Sequence, residues 1–470
     1  MMKRTLQHVV KMVDGVWCGS GEDLARTCDG VVTDSRQVRP GHLFVPLKGE
    51  RFDGCEFIPE ALAKGAVASL YPKDRPVPAE WTANGPLPLI FVDDPLAALQ
   101  RMADRYRQEW GGRVVAITGS NGKTTTKDVT AAVLAQQFRV HKTAGNLNNH
   151  IGLPLTLLAI PQEAEVAVVE MGMNHPGEIA FLSRLARPDV GIITNIGDAH
   201  LEHLGSREAI AAAKLEIVHG LNRNGALIVN GDEPLLRTVP YDGAVYRFGF
   251  GDGNDLRLLT AERAGRWQTR FTTNRTVHPL TVPLIGRHML QNVLAAVLCA
   301  LYFGLSESQI QQGLQAVQLS GMRMEPQKGP NGMQILMDAY NASPTSMRAA
   351  LELLAELDGF SIKLALLGDM LELGAQEETL HRQVAHQLSP SWLDGLFTYG
   401  SRARWISLEA ERLGFPVDRI FHTDDPQVMA QALRSWTKPG TVLLVKGSRG
   451  MRMEKIIEAL RGEGSWTFGQ

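Results

Sequence analysis

Val114-Val-Ala-Ile-Thr-Gly-Ser-Asn-Gly-Lys-Thr-Thr-Thr-Lys-Asp128 passes from an apolar strand through a glycine turn into the start of a polar helix. How this stretch is built decides the fold around it. A standard phosphate-binding loop reads G-x-x-x-x-G-K-[ST]. Here the position of its first glycine is Ile117, and the nearest upstream glycine is Gly119, so the loop is the shorter Gly119-Ser120-Asn121-Gly122-Lys123-Thr124-Thr125. Backbone N–H groups at a strand-to-helix turn, together with a helix N-terminus, suit a polyphosphate. Lys123 can neutralise the β and γ oxygens, and Thr124 or Thr125 can bind Mg²⁺.

Outward from this loop, the same texture of strand, glycine turn and helix continues. Ala164–Met171, Val190–Thr194 and Ala226–Val229 are short continuous apolar runs separated by helical stretches. Runs of this kind predict a buried, mostly parallel sheet. A more irregular strand region, Tyr246–Leu284, precedes a helix over His288–Leu301. A second alternating series begins near Gly321, with strands Ile335–Asp338, Lys363–Leu367, Leu396–Tyr399 and Val442–Val445. Its helices are Pro344–Leu357, Glu377–Leu388, Pro426–Trp436 and Met453–Leu460. Ahead of Gly111-Gly112 lie short strands (Val31-Val32, His42–Pro46, Leu89–Val92) and a helix over Pro95–Glu109. The chain therefore divides into a small mixed α/β N-terminal domain (1–110), a central P-loop ATPase domain (111–320) and a C-terminal Rossmann-like α/β domain (321–470), an α/β protein throughout.

The 470 residues carry a formal charge of -2 with no basic run, which gives no support to nucleic-acid binding. Cys18, Cys28, Cys55 and Cys299 are scattered, without the pairs that zinc or redox chemistry needs, and read as reduced thiols. MMKRTLQHVVKMVDG reads as a short amphipathic helix and not a signal peptide. The apolar stretch ending at Leu301 is too short and too polar at its start to span a membrane. The expected protein is cytoplasmic, without membrane insertion, and a monomer.

Polar residues gather where these strands end. Glu170 closes the run Val166–Glu170, and a carboxylate there is either a Mg²⁺ ligand or a solvated acid. His200 lies in the loop after the next strand, with Asp198, Glu202 and His203, as a metal ligand or a surface residue. Lys214, in Ala211-Ala-Ala-Lys-Leu-Glu, has the pattern of an exposed helical lysine. In the last series Ser343 and Pro344 are helix-start residues, cap and first position. Asp338, Tyr340 and Asn341 are not needed for that cap, and a tyrosine face there can pack on a base. Leu367–Gly374 and Lys446–Arg449 follow strands and bring further polar loops to the same rim.

On these residues the chain resembles the Mur ligase family, ATP-dependent amide-forming enzymes of peptidoglycan precursor synthesis. The resemblance runs the full length through Thr33–Arg36, Gly41–Pro46, Thr118–Asp128, Thr143–Pro154, Glu170–Gly172 and Asp198–Glu202, then the Lys214 helix. Asp338–Pro344 and Leu367–Gly374 are the parts most typical of members that add D-alanyl-D-alanine. The resemblance implies that UDP-N-acetylmuramoyl-tripeptide is activated by ATP to an acyl phosphate, which the dipeptide amine attacks. It implies Lys123 on the phosphates, Thr124 and Glu170 on a first Mg²⁺, and a carbamylated Lys214 with His200 on a second. It also implies Asn292 at the adenine, Arg323 near the phosphates, and Asp338, Tyr340 and Asn341 closing over the nucleoside. Ser35 and Arg36 are then expected at the uridine end, and Asn146 and Asn149 at the sugar-pyrophosphate.

Two departures stand out. Met289, in Gly286-Arg-His-Met-Leu-Gln-Asn292, replaces the family's usual Asn, and Cys55, in Asp53-Gly-Cys-Glu-Phe57, replaces its His. Related ligases that add meso-diaminopimelate carry Asp-Asn-Pro-Arg, whereas the nearest string here is Asp424-Asp-Pro-Gln427. Another amino-acid-adding ligase of the same fold, including the folate polyglutamating type, is the nearest alternative. A GTP switch would carry Asn-Lys-x-Asp, which is absent. A kinase would leave a stable phosphorylated product in place of free phosphate.

Overall fold

The strand ahead of the loop, Arg113–Thr118, lies in the middle of a nine-stranded sheet. Its neighbours are Val166–Glu170 on one side and Val190–Ile193 on the other, both parallel to it. Val115 and Ile117 point into one apolar cluster, Val114 and Ala116 into another, and the same alternation holds for Val168 against Val169 and Ile192 against Ile193. Both faces are therefore covered, which is why these strands read as unbroken apolar runs. The computed structural model describes residues 1–49, 52–82, 85, 87–197 and 204–462.

From Val190–Ile193 the sheet continues through Ala226–Asn230, Ala244–Gly249 and Leu256–Arg263, all parallel. It ends in two antiparallel strands, Thr269–Thr273 and Leu280–Val282. At the other edge Val140–Lys142 pairs beyond Val166–Glu170, so the chain leaves Arg113–Thr118 in one direction and returns past it to Val190–Ile193. That reversal opens a crevice at the carboxyl end of the loop strand, where ligands of open α/β sheets bind.

Earlier in the chain a five-stranded sheet runs Val16–Cys18, Leu89–Val92, Ala68–Pro72, Leu43–Phe44, Val31–Val32, with only the first pair antiparallel. Helix Pro95–Trp110 carries its core into that of the central sheet: Leu43, Ile90, Leu99, Met102, Leu153 and Val169 belong to one cluster. The N-terminal segment differs from the expected helix. Lys3–Thr5 is a strand paired with Thr27–Asp29, and only Leu6–Met12 is helical, with Thr5 as its cap.

Later in the chain a six-stranded sheet has the order Glu325–Lys328, Gln334–Asp338, Thr441–Lys446, Ile362–Gly368, Gly395–Tyr399, Ile420–Thr423. The first strand is antiparallel and the rest parallel. Asp338 and Lys446 thus sit side by side at adjoining strand ends. Leu336, Leu351, Leu367 and Val442 share a core with Val115 of the central sheet and with Val129 and Val293 on helices Lys123–Leu134 and Arg287–Tyr302 packed against it. This packing brings the carboxyl ends of the two large sheets to one cavity. Among the described residues no helix is long and apolar enough to cross a membrane.

Candidate active site

The short loop follows from where its strand stops. Glu170 pairs with Ile117, so strand geometry extends through Ile117 to Thr118 and the first turn residue is Gly119. Gly119 has φ 148°, and a Cβ there would lie 1.8 Å from Thr194 Oγ1. Gly122 has φ 79° and faces Asn292, whose Oδ1 would be 2.2 Å from an added Cβ. Neither position accepts a side chain.

Thr194 Oγ1 donates to the Asn121 carbonyl at 2.6 Å, and Ser120 N and Asn121 N donate to Asn195 O and Oδ1 at 3.1 and 2.9 Å. These two loop amides, expected from the sequence to face phosphate, are thereby engaged by the neighbouring strand end. Donors left for an anion are those of the first turn of helix Lys123–Leu134, which has no side-chain cap. Asn121 Nδ2 is buried without a partner among the described residues, a further donor suited to an anion.

Lys123 folds back on the loop, its Nζ donating to Gly119 O at 2.8 Å. Burial holds its amine below the usual lysine range, Glu170 opposes that shift, and Arg323 adds to it. Thr124 Oγ1 donates to Glu170 Oε2 at 2.7 Å, and Asn148 Nδ2 to Glu170 Oε1 at 2.9 Å. Glu170 is 3% exposed. A hydroxyl and a carboxylate adjoining beneath a phosphate loop are the oxygen donors Mg²⁺ takes, with phosphates and water completing its shell. Among the described residues no group of three or more His, Cys, Asp or Glu could hold a metal by itself. Thr124 and Glu170 therefore fit a Mg²⁺ that takes further oxygens from a nucleotide.

These groups line a cavity of about 980 Å³, together with Thr125, Asn146, Asn149, Asn292, Arg323 and the Asp338–Asn341 loop. Asn149 Oδ1 accepts from Ile151 N and Gly152 N at 3.1 and 2.8 Å, starting helix Gly152–Leu158. Asn292 Oδ1 accepts from Thr126 Oγ1 at 3.3 Å. Met289 is buried and also lines the cavity.

Arg323 stands over the Tyr340 ring, 3.7 Å from its centroid, in a cation–π contact. Its neighbours Met322 and Met324 have φ 62° and 49°, left-handed backbone that costs on the order of 1–3 kcal/mol at each such residue. The turn is held by Met322 N to Glu325 Oε2 (2.9 Å), Met324 N to Asp338 Oδ1 (3.3 Å) and Tyr340 N to Met322 O (3.3 Å). Lys446 Nζ lies 2.5 Å from Asp338 Oδ2 and donates to Asn341 O at 3.1 Å, tying the loop to the adjacent strand. Ser343 caps its helix with Pro344 at the first position, as the sequence predicts, and Ser346 completes a capping box.

Some expected residues are placed differently. Ser35 is buried, Arg36 forms a two-pronged pair with Asp34, and neither lines this cavity. Cys55 is buried and its thiol is pushed up to about 11 by burial. Lys214 is not the exposed lysine its pattern suggests: it is 2% exposed. It lies on the buried face of helix Arg207–Leu215 with Ile210, Ala211 and Ala213. Burial first, and Lys123 second, hold its amine well below the usual lysine range. His200, with Asp198, Glu202 and His203, lies outside the described residues.

Two buried networks escaped the sequence reading. Asp128 Oδ1 accepts from Lys142 Nζ at 2.7 Å with Lys127 Nζ 3.6 Å away, and Oδ2 accepts from Ser320 N at 2.8 Å. The helix behind the loop is thus pinned to the segment that leads to Arg323. Removing Asp128, which would leave the buried Lys127 unpaired, costs about 3–5 kcal/mol. Asp369, in the rim loop Leu367–Gly374, faces inward: its Oδ1 accepts from Arg402 N and Ala403 N at 3.1 and 2.7 Å. Burial raises its carboxyl above the usual range. Its neighbour Met370 donates its N–H to His381 Nε2 at 2.9 Å, and His381 Nδ1 meets Glu377 O at 2.6 Å.

Three family descriptions match in order: Mur ligase family, catalytic domain, over 27–107; Mur ligase middle domain over 117–300; and Mur ligase, glutamate ligase domain, over 322–449. The UDP-N-acetylmuramoyl-tripeptide–D-alanyl-D-alanine ligase of Bacillus subtilis (strain 168) is 45% identical over 460 residues, 98% of this chain and 99% of that protein. The chain belongs to the Mur ligase family.

Within this family, a crystal structure of MurF from Acinetobacter baumannii superposes with TM-score 0.85 at 30% identity, covering 98% of this chain and 99% of that one. MurF from Thermotoga maritima in complex with ADP gives TM-score 0.80 at 31% identity, covering 93% of this chain and 98% of that one. The family match accounts for an ATP-dependent ligase whose cavity is walled by two sheets and not one.

Proposed function

We propose that this chain joins D-alanyl-D-alanine to UDP-N-acetylmuramoyl-tripeptide, with ATP as the driving substrate. The products are UDP-N-acetylmuramoyl-pentapeptide, ADP and phosphate, and the step belongs to peptidoglycan precursor synthesis. The observation that carries this reading is the full-length likeness to ligases of that name, at 45% identity over 98% of the chain. The convergence of the phosphate loop and the Asp338–Asn341 loop on one cavity supports it.

The tripeptide's terminal carboxylate oxygen attacks the γ-phosphorus, and the bond to the β-phosphate oxygen breaks. The dipeptide amine then attacks the acyl phosphate carbonyl and loses a proton, and the tetrahedral intermediate expels phosphate. Catalysis of both steps rests on positioning and charge neutralisation. Lys123 turns from Gly119 O to the β and γ oxygens, which also meet the first-turn amides. Thr124 and Glu170 would hold a Mg²⁺, which would supply positive charge against the polyphosphate. Arg323, steadied on Tyr340, adds a cation from the turn ahead of strand Glu325–Lys328, and Asn292, Asp338, Tyr340 and Asn341 enclose the nucleoside. Asn146 and Asn149 face the sugar-pyrophosphate, with Ser35 and Arg36 at the uridine end outside the cavity. These substrates place the reaction in the cytoplasm.

Lys214 acts as a carbamate. An amine reacts with CO₂ only when unprotonated, and burial beside Lys123 favours that form. That carbamate, with His200, would supply the anionic and imidazole donors for a second Mg²⁺.

The test supplies ATP, Mg²⁺ and UDP-muramoyl-tripeptide, and follows phosphate release with and without D-alanyl-D-alanine. Release that depends on the dipeptide, with pentapeptide detected by mass spectrometry, is the expected outcome. Turnover indifferent to the dipeptide, or no pentapeptide, overturns the reading.

A further inference from the structure

The cations lining the cavity are Lys123, Arg207, Arg323, Arg348, Lys446 and Arg449. Five are engaged within the protein. Lys123 donates to Gly119 O, Arg207 lies 3.0 Å from Glu233, and Arg323 stacks on Tyr340. Lys446 pairs with Asp338 at 2.5 Å and Arg449 with Glu454 at 2.6 Å. Arg348 is exposed in the cavity and has neither an ion pair nor a hydrogen bond among the described residues. A guanidinium presented this way matches a carboxylate, which it can grip with two parallel N–H bonds.

Its position narrows the ligand. Arg348 lies on helix Pro344–Glu356, three residues after Thr345 and on the same face. Thr345 Oγ1 is 3.8 Å from where a Cβ on Gly197 would stand, and Gly197 N donates to Ser120 Oγ at 2.9 Å. The start of this helix therefore abuts the phosphate loop, and Arg348 lies about 5 Å further along, one turn away. The incoming dipeptide must present its amine beside the acyl phosphate, and its terminal carboxylate then trails by two extended residues, about 7 Å. The long arginine side chain spans that interval.

Resting on the ligase reading above, we propose that Arg348 binds the terminal carboxylate of the incoming D-alanyl-D-alanine and selects for a free acid at that end. The nucleotide phosphates already have Lys123, the helix amides and Arg323, which leaves Arg348 for the second substrate.

The experiment compares wild type, Arg348→Ala and Arg348→Lys on D-alanyl-D-alanine and on its C-terminal amide. Loss of a charge-assisted bond predicts a KM for the dipeptide raised roughly 10- to 100-fold in Arg348→Ala. The KM values for ATP and UDP-tripeptide stay unchanged, and Arg348→Lys falls between. Wild type should discriminate acid from amide and Arg348→Ala should not. If Arg348→Ala discriminates as wild type does, or its loss falls on ATP or the tripeptide, the assignment is overturned. If wild type makes no pentapeptide-type product from either dipeptide, the ligase reading itself has failed and the assignment with it.

Discussion

Thr124 Oγ1 and Glu170 Oε2 are 2.7 Å apart, joining the first turn behind the phosphate loop to the end of the neighbouring strand. Replacing Glu170 with Gln keeps an oxygen to accept from Thr124 but removes the negative charge a Mg²⁺ site needs. Activity should fall roughly 100-fold or more, the scale of losing one preorganised electrostatic group. The Mg²⁺ concentration for half-maximal rate should rise. An unchanged Mg²⁺ titration would argue that the pair is structural only.

The shortness of the loop makes a second prediction. Gly119→Ala puts a methyl 1.8 Å from Thr194 Oγ1 at a backbone φ of 148°. The loop must move away from Asn195 to relieve that contact, while the core strands stay packed. Strain of this kind predicts ADP binding weakened roughly 10- to 100-fold, measured by calorimetry, with little change in circular dichroism. Wild-type affinity in the variant would rule the loop geometry out.

The rim loop Leu367–Gly374 carries a pH dependence. His381 is fully buried, accepts from Met370 N, and is held below its ordinary value of 6.5 chiefly by burial. Unfolded chain gains a proton below that value while the folded imidazole does not. Stability is therefore complete above about pH 6.5 and is lost as pH falls toward the depressed folded value. Urea unfolding at about pH 7.5 and about pH 5.5 should show a larger loss in wild type than in His381→Gln, which lacks the titrating ring. Equal losses would remove His381 as the cause.

What could be read in advance follows physical lines. Val114–Ile117, Val190–Ile193 and Val442–Val445 announce themselves because both faces are buried and every residue is apolar. Ser343 and Pro344 mark a helix start by local chemistry alone. Ile420–Thr423 was not legible, being a half-buried edge strand with His422 and Thr423 in it. Nor was Lys3–Thr5, whose partner Thr27–Asp29 is distant in sequence and gives no local signal. Asp369 falls in a loop whose sequence marks it only as polar, and its role of accepting from backbone amides was not legible because only tertiary packing brings Arg402 and Ala403 to it. Lys214 carries a burial signal in its own helix. It falls four residues after Ile210 and three after Ala211, on the apolar face of its own helix.

That placement sets the last prediction. A fully buried lysine with no acid among the described residues to pair with is costly if protonated, so it persists as a neutral amine or gains charge by reaction. If CO₂ adds to Lys214, activity should fall in bicarbonate-free, degassed buffer and return on adding bicarbonate. Lys214→Ala should lose roughly 100-fold or more in kcat and recover partly with a small added carboxylate, which replaces the missing charge. Enzyme equilibrated with ¹³C-bicarbonate should show a carbamate carbon resonance that Lys214→Ala lacks. A fully active Lys214→Ala, or identical spectra from the two proteins, would leave the buried amine a packing residue.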